Sequence, residues 1–312
     1  MEHALPPLRL KIGTRGSPLA LAQAVETRSL LMKAWDWPEE AFEVVVIQTS
    51  GDRIQDRPLR LVGGKGLFTR EIEEQLLDGS IDIAVHSMKD MPTVQPDGLV
   101  LDIYLPREDV RDAFVSTGSV SIADLARGAR VGTSSLRRRA QLMHVRPDLD
   151  VIEFRGNVQT RLKKLADGVA SCTFLAMAGL NRLNMVHVAT GAIEPEDMLP
   201  AVAQGAIGIE RRLEDHSTAV LLEPLHDTKT GQRVAAERAF LATLDGSCET
   251  PIAALAVIEG SELLLRGEVL RPDGSEKLSG HRRGPILDGA AMGDDLAKEL
   301  LSQAGPEFFS WR

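Results

Sequence analysis

Two α/β lobes with mostly parallel sheets, followed by a smaller α+β module, are the architecture that this 312-residue sequence predicts. Three observations carry that expectation. Short apolar runs alternate with helical stretches from residue 8 to about 115; the same alternation restarts near Asp112; and near Arg233 it gives way to one helix beside β-like runs. Alternating β and α elements with short connections imply parallel sheets with helices on both faces, and two such halves imply a cleft between them. The length agrees, since roughly 100 to 200 residues make a domain.

In the first half, Leu8 to Ile12 and Phe42 to Ile47 read as strands. The helix between them spans Pro18 to Trp35, with Ser17 as N-cap and Pro18 at the first helical position, where its missing N–H costs nothing. Phe68 to Asp78 reads as a helix stopped by Gly79, and Ile81 to Val85 as a buried strand. The second half repeats this grammar with Ala113–Val115, a helix over Ser121 to Arg127, Val131–Thr133, a helix from about Ser135 to His144, Val151–Phe154 and a helix over Val158 to Asp167. The C-terminal part shows a helix over Ala235 to Leu244, β-like runs at Ile252–Ile258 and Glu262–Leu270, and a last helix through Leu301.

Composition narrows the function classes. Hydrophobic residues are 43% and charged residues 26%, close to globular averages, which excludes a disordered or fibrous chain. A net charge of −9 excludes a surface basic throughout, so any site for a polyanion is local. Two cysteines, Cys172 and Cys248, cannot build a disulfide framework and lack zinc spacing, which predicts a reducing, cytoplasmic setting and no metal. Pro18 to Ala24 faintly suggests a signal cleavage site, but Arg15 and Gly16 interrupt the apolar run it needs, and no 18-residue uncharged apolar segment follows.

Charge placement points to the chemistry. Residues 127 to 163 hold nine cations, eight of them arginine, against Asp148, Asp150 and Glu153. The rigid guanidinium fork suits carboxylates or phosphates. Thr133-Ser-Ser135 opens a helix whose first turn carries Arg137 and Arg138, an unfavourable place for cations unless an anion binds there. Arg155-Gly-Asn157 repeats the arrangement after the next strand, and Arg15 with Ser17 does so in the first half. The ligand this describes carries several carboxylates or phosphates. His86-Ser-Met-Lys-Asp90 follows the buried strand directly; within a cleft, Asp90 is a carboxylate able to stabilise a cation or accept a proton, and otherwise Lys89–Asp90 is a surface pair. Val62-Gly-Gly-Lys-Gly-Leu67 lacks Walker spacing and reads as a basic loop before a helix. Cys248 lies in a turn bounded by glycine and proline, where a nucleophile or attachment point and a plain buried thiol both remain open; Cys172 looks like core.

Seven motifs taken together resemble the porphobilinogen deaminase, or hydroxymethylbilane synthase, family: Thr14-Arg-Gly-Ser-Pro-Leu-Ala20, Gly63-Gly-Lys-Gly-Leu-Phe68, His86-Ser-Met-Lys-Asp90, Gly132-Thr-Ser-Ser-Leu-Arg-Arg138, Arg155-Gly-Asn157, Leu199-Pro-Ala-Val-Ala-Gln-Gly-Ala206 and Gly246-Ser-Cys-Glu-Thr-Pro251. They run in order from about residue 8 to the C-terminal region. The resemblance implies two doubly wound lobes like those of periplasmic binding proteins with a cleft between them, residues 1–105 with 204–223 and residues 106–203, plus a C-terminal α+β domain, 224–312. It implies joining four porphobilinogen molecules head to tail, with release of ammonia, into linear hydroxymethylbilane for tetrapyrrole and heme synthesis.

A dipyrromethane primer would be held by a thioether to Cys248. By motif match Asp90 is catalytic; Ser87, Lys89, Asp90, Thr133, Ser134, Ser135, Arg137, Arg138, Arg155 and Gly156 would hold the primer. Arg15, Ser17, Arg155, Arg161 and Arg182 would hold substrate and growing chain, and Lys65 would sit on a lid loop. The resemblance also implies a cytoplasmic monomer that passes its product to the next pathway enzyme, with no nucleic-acid or membrane partner. One departure is Ser171, where the family commonly has Asp; it bears on local packing. A non-catalytic carboxylate-binding protein of the same bilobal form explains the arginines but neither Cys248 nor Asp90. A nucleic-acid binder is disfavoured by 4% aromatics and the acidic balance.

Overall fold

The computed structural model describes residues 9–53, 66–246 and 250–311. Its chain forms two compact units, residues 1–107 with 206–231, and residues 108–205 with 232–312. The expected lid residue Lys65 and the expected attachment residue Cys248 lie outside the described residues.

The first unit begins with β1 (Leu10–Arg15), α1 (Pro18–Trp35), β2 (Phe42–Ile47), α2 (Ser50–Arg53), α3 (Arg70–Leu77), β3 (Ile83–Ser87) and β4 (Leu99–Tyr104). Ser17 caps α1 as expected, its hydroxyl accepting from Ala20 N at 3.2 Å, and the helix ends where Asp36 turns left-handed. The second unit continues with β5 (Asp112–Ser116), β6 (Arg130–Gly132), α4 (Leu136–Val145), β7 (Asp150–Ile152), α5 (Val158–Ala166), β8 (Cys172–Ala176), α6 (Met177–Arg182) and β9 (Gly191–Ile193). The chain then re-enters the first unit as β10 (Ile207–Arg212) and α7 (His216–Leu222), before α8 (Thr228–Thr243), β11 (Ile252–Glu259), β12 (Glu262–Leu270), β13 (Lys277–Pro285) and α9 (Gly289–Gln303).

The α/β layering is the expected one, but the sheets are mixed rather than mostly parallel. The first sheet runs β2-β1-β3-β10-β4, with β1 parallel to β2 and β3, and β10 antiparallel to β3 and β4. The second runs β7-β6-β8-β5-β9, with β6 parallel to β7 and β8, and β5 antiparallel to β8 and β9. Both therefore follow one plan, in which an antiparallel strand is inserted beside the parallel ones. Each core is apolar on both sides of its sheet: Ile12, Ile83, Val85 and Ile209 pack with α1, whereas Ala84 packs with Ile72 and Leu76 of α3.

Two local expectations fail for physical reasons. Residues 121–127 form turns instead of a helix, because the Arg146 guanidinium takes the carbonyls of Ile122, Ala123 and Leu125 that helical N–H groups would need. The C-terminal sheet has a third strand, β13, invisible to apolar patterning because its covered positions include Gly280, Arg282 and Gly284 while Lys277, Ser279, His281 and Arg283 are exposed. Residues 108–205 and 232–312 share one compact unit. Leu199 joins Ala253 and Leu255 in one apolar cluster, and the buried Glu237 carboxylate accepts from both Ala203 N and Ala256 N, at 2.6 and 2.8 Å.

Gly132, at the end of β6, admits the fully buried Phe154 ring: a Cβ there would lie 2.5 Å from Phe154 Cγ. Gly132→Ala is expected to lower stability by about 1–3 kcal/mol through overpacking, read as a fall in the thermal or urea midpoint.

Candidate active site

In the first unit, Arg15 ends β1 and lays its guanidinium over the Phe68 ring, 4.1 Å from the centroid. Ser17 spends its acceptor on the α1 cap. β3 delivers Ser87 into a single 3₁₀ turn, Met88–Asp90. Met88 is buried and anchored, its N–H donating to Ala206 O at 3.0 Å, so Lys89 and Asp90 are presented half-buried beside it. Among the described residues no hydrogen bond or ion pair engages the Asp90 carboxylate. Sequence reasoning missed Gln23, which is 3% exposed and holds Ser87 in a reciprocal pair: Gln23 Nε2 donates to Ser87 Oγ at 2.8 Å, and the hydroxyl can donate to Gln23 Oε1 at 3.1 Å. A lone amide in the apolar run Leu19 to Ala24 was the available signal.

In the second unit, the turn after β6 uses every hydroxyl. Thr133 Oγ1 accepts from Ser135 N at 3.2 Å, Ser134 Oγ from Phe154 N at 3.0 Å, and Ser135 Oγ caps α4 by accepting from Arg138 N at 3.4 Å. Each hydroxyl hydrogen is left to donate elsewhere. After β7, Gly156 adopts φ +123, a conformation open to glycine, and its carbonyl accepts from Arg161 Nε at 2.9 Å. Asn157 caps α5 through Thr160 N at 2.9 Å, and the Arg155 carbonyl accepts from Lys164 Nζ at 3.0 Å. Arg182, at the end of α6, reaches Gly205 O at 3.2 Å.

Arg137 and Arg138 do not stand where a ligand would meet them first. They are 4% and 5% exposed, and both grip Asp112, which is fully buried at the start of β5. Arg137 Nη2 donates to Asp112 Oδ2 at 2.7 Å and Nη1 to Leu199 O and Gln141 Oε1; Arg138 Nε and Nη2 donate to Asp112 Oδ1 and Nη1 to Phe174 O. The anion that the arginine placement called for is thus supplied by the chain itself. Burial alone would raise the Asp112 carboxyl, but the two guanidiniums outweigh it and hold it far below the usual carboxylate range. Other cations of the 127–163 segment are also engaged: Arg130 with Asp150, Arg146 with Asp148, and Arg139 with Val151 O.

Comparison with known proteins gives the family. The model of "porphobilinogen deaminase, dipyromethane cofactor binding domain" matches residues 10–220, and that of "porphobilinogen deaminase, C-terminal domain" matches residues 231–302. The chain belongs to the porphobilinogen deaminase family. It is 66% identical over 306 residues to the porphobilinogen deaminase of Paracoccus denitrificans, covering 98% of each chain. Among solved structures it is similar to the methionine-binding protein MetQ (TM-score 0.44, 14% identity, 76% of this chain and 94% of that one) and to a nutrient-binding protein of Burkholderia cenocepacia (0.43, 13%, 75% and 95%). As a family member it is an enzyme that makes hydroxymethylbilane from porphobilinogen with a dipyrromethane cofactor. Among the described residues no helix is long and apolar enough to cross a membrane.

Asp112→Asn removes one charge from a buried cluster and strands two guanidiniums. It is expected to cost about 3–5 kcal/mol, measured by denaturant unfolding. Because the folded pKa is depressed, Asp112 contributes its full stabilisation above the ordinary carboxylate pKa, near 4, and loses it as pH falls further. The parent–variant gap should therefore narrow below about pH 4.

Proposed function

We propose that the residues of the two half-sites divide the deaminase reaction between charge stabilisation and carboxylate holding. Loss of ammonia from the protonated aminomethyl group of porphobilinogen breaks the C–N bond and leaves a cationic azafulvenium. Asp90, a half-buried carboxylate with no partner among the described residues, stabilises that positive charge and accepts pyrrole N–H bonds; this is the single observation that carries the reading. Lys89 and Ser87 flank it from the same turn and take ligand carboxylates.

The donor set fits dipyrromethane, whose rings bear acetate and propionate groups and pyrrole N–H groups. The hydroxyl hydrogens of Thr133, Ser134 and Ser135 and the guanidinium of Arg155 would hold its carboxylates, with Gly156 giving the turn its shape. When bound, the group supplies the pyrrole carbon to which substrate is joined. Arg137 and Arg138 act from beneath, fixing the hydroxyl turn through Asp112. Arg15, Ser17, Arg161 and Arg182 take the carboxylates of substrate and growing chain.

Cys248, in the C-terminal segment 224–312, is the attachment residue. The other cysteine is unsuited, since Cys172 is buried and its thiol is pushed up to about 12 by burial. The enzyme works as a cytoplasmic monomer and hands its linear product to the next pathway enzyme, a reading supported by the family and by the sparse cysteines.

Asp90→Asn keeps the shape and removes the charge. Turnover of porphobilinogen is expected to fall at least a hundredfold with an unchanged melting temperature; near-parental turnover would remove Asp90 from the centre. Intact-mass measurement with peptide mapping is expected to find two linked pyrrole units on Cys248. A bare chain that gains no mass there on incubation with porphobilinogen would contradict the attachment.

A further inference from the structure

The charged groups of the first unit that this reaction leaves unused lie just upstream of Asp90. His86 of β3 and Glu210 of β10 are 5% and 0% exposed, with Nε2 and Oε2 3.0 Å apart, and Glu210 Oε1 is buried without a partner. Glu73 of α3, 8% exposed, adjoins the pair; burial raises its carboxyl against a Thr69 hydrogen bond that lowers it, and Glu210 adds to the rise.

A buried polar pair is a poor source of net stability, because desolvation offsets the attraction; its best-attested use is to fix register. Apolar alternation does not supply register to β3. Ile83, Ala84 and Val85 are all buried, so the strand is apolar on both faces and has no alternation to penalise a one-residue slip. Observed register sets His86 opposite Gly208 and Ala84 opposite Glu210, making His86 and Glu210 diagonal neighbours on the α3 face. Met88 packs against Gly208, where a Cβ would lie 2.2 Å from its Sδ. A slip would turn His86 to the other face, leave the Glu210 carboxylate buried alone and displace Met88, carrying Asp90 with it.

We propose that Glu210 is a positioning residue: through His86 it pins the register of β3 against β10 and so sets where Ser87, Lys89 and Asp90 stand. The inference rests on the deaminase reading above for its kinetic consequence. The test is the full-length double variant His86→Leu/Glu210→Leu, compared with the parent by melting temperature, by intact mass for the fraction carrying primer, and by steady-state kinetics per loaded chain.

The expected result is a melting temperature at or above the parent's, primer on fewer than half as many chains, and kcat at least tenfold lower with KM within twofold. Loaded fraction and kcat both within twofold of the parent, at whatever melting temperature, would overturn the proposal. Should the double variant not fold, Glu210→Gln, which keeps the volume, is read in the same way. Amide hydrogen exchange separates the pin from the enzyme reading. Amides of Ile83–Met88 should exchange at least tenfold faster in the variant while those of α9 do not change, and parental exchange there overturns the pin. A parent that neither carries primer nor consumes porphobilinogen would instead overturn the deaminase reading.

Discussion

The second unit is organised around one electrostatic constraint: Asp112 has no access to water and must be neutralised from within. Two guanidiniums do so, which leaves the cluster one positive charge in excess. Glu268 of β12, itself paired with Lys277 at 3.8 Å, adjoins the cluster and favours the Arg137 charge. It is 8% exposed, accepts from Gln141 Nε2 at 2.5 Å, and Gln141 in turn accepts from Arg137. The Gln141–Glu268 bond thereby ties the Asp112 cluster to the C-terminal sheet, within the compact unit of residues 108–205 and 232–312. The same carboxylate fixes α4, whose N-terminal turn carries the hydroxyls, to the start of β5 and, through Gln204 Nε2 at 3.0 Å, to the 199–206 loop.

Capping and ligand holding are compatible in that turn because a hydroxyl accepts and donates at once. Thr133, Ser134 and Ser135 give their lone pairs to backbone N–H groups, which locks their orientation, and keep their hydrogens. Alanine at these positions would lose both roles together, so structural and binding effects are coupled by chemistry. In the first unit Ser87 and Gln23 work in the same manner, each ordering the other's polar atoms before a ligand arrives.

Much of this was legible in the sequence. The strand Phe42–Ile47 and the helix Pro18–Trp35 fall at the expected residues, since β-branched runs and a Ser-Pro start are local signals. The sequence also placed Ser87 and Asp90 directly after a buried strand and Thr133–Ser135 on a strand-to-helix turn. What stayed hidden depends on long-range partners. Nothing in Arg137-Arg138 reveals that both face Asp112, 25 and 26 residues upstream in sequence. Nor does the apolar run Ile207–Ile209 tell that it lies antiparallel to β3, more than a hundred residues earlier. Strand β13 escaped because glycine and arginine fill its covered face, and the helix expected at 121–127 yielded to a guanidinium from another segment. Charge counting gave the right class of ligand but overstated the free cations, because internal carboxylates and carbonyls already occupy several of them.

The two sheets solve the same problem in the same place. Each holds one antiparallel strand beside its parallel ones, and each of those strands carries one fully buried carboxylate, Glu210 on β10 and Asp112 on β5. Each carboxylate is met by side chains adjoining a functional turn: His86 directly before Ser87–Asp90, and Arg137 with Arg138 after Thr133–Ser135. Strand β10 joins its sheet after a long excursion of the chain, whereas β5 precedes β6 and β8, and each of the two pairs with strands remote from it in sequence. A charge on either strand makes only one arrangement affordable. Whichever register leaves the carboxylate unpaired carries an uncompensated buried charge, so the native pairing is selected by the penalty on its alternatives rather than by the strength of the pair itself.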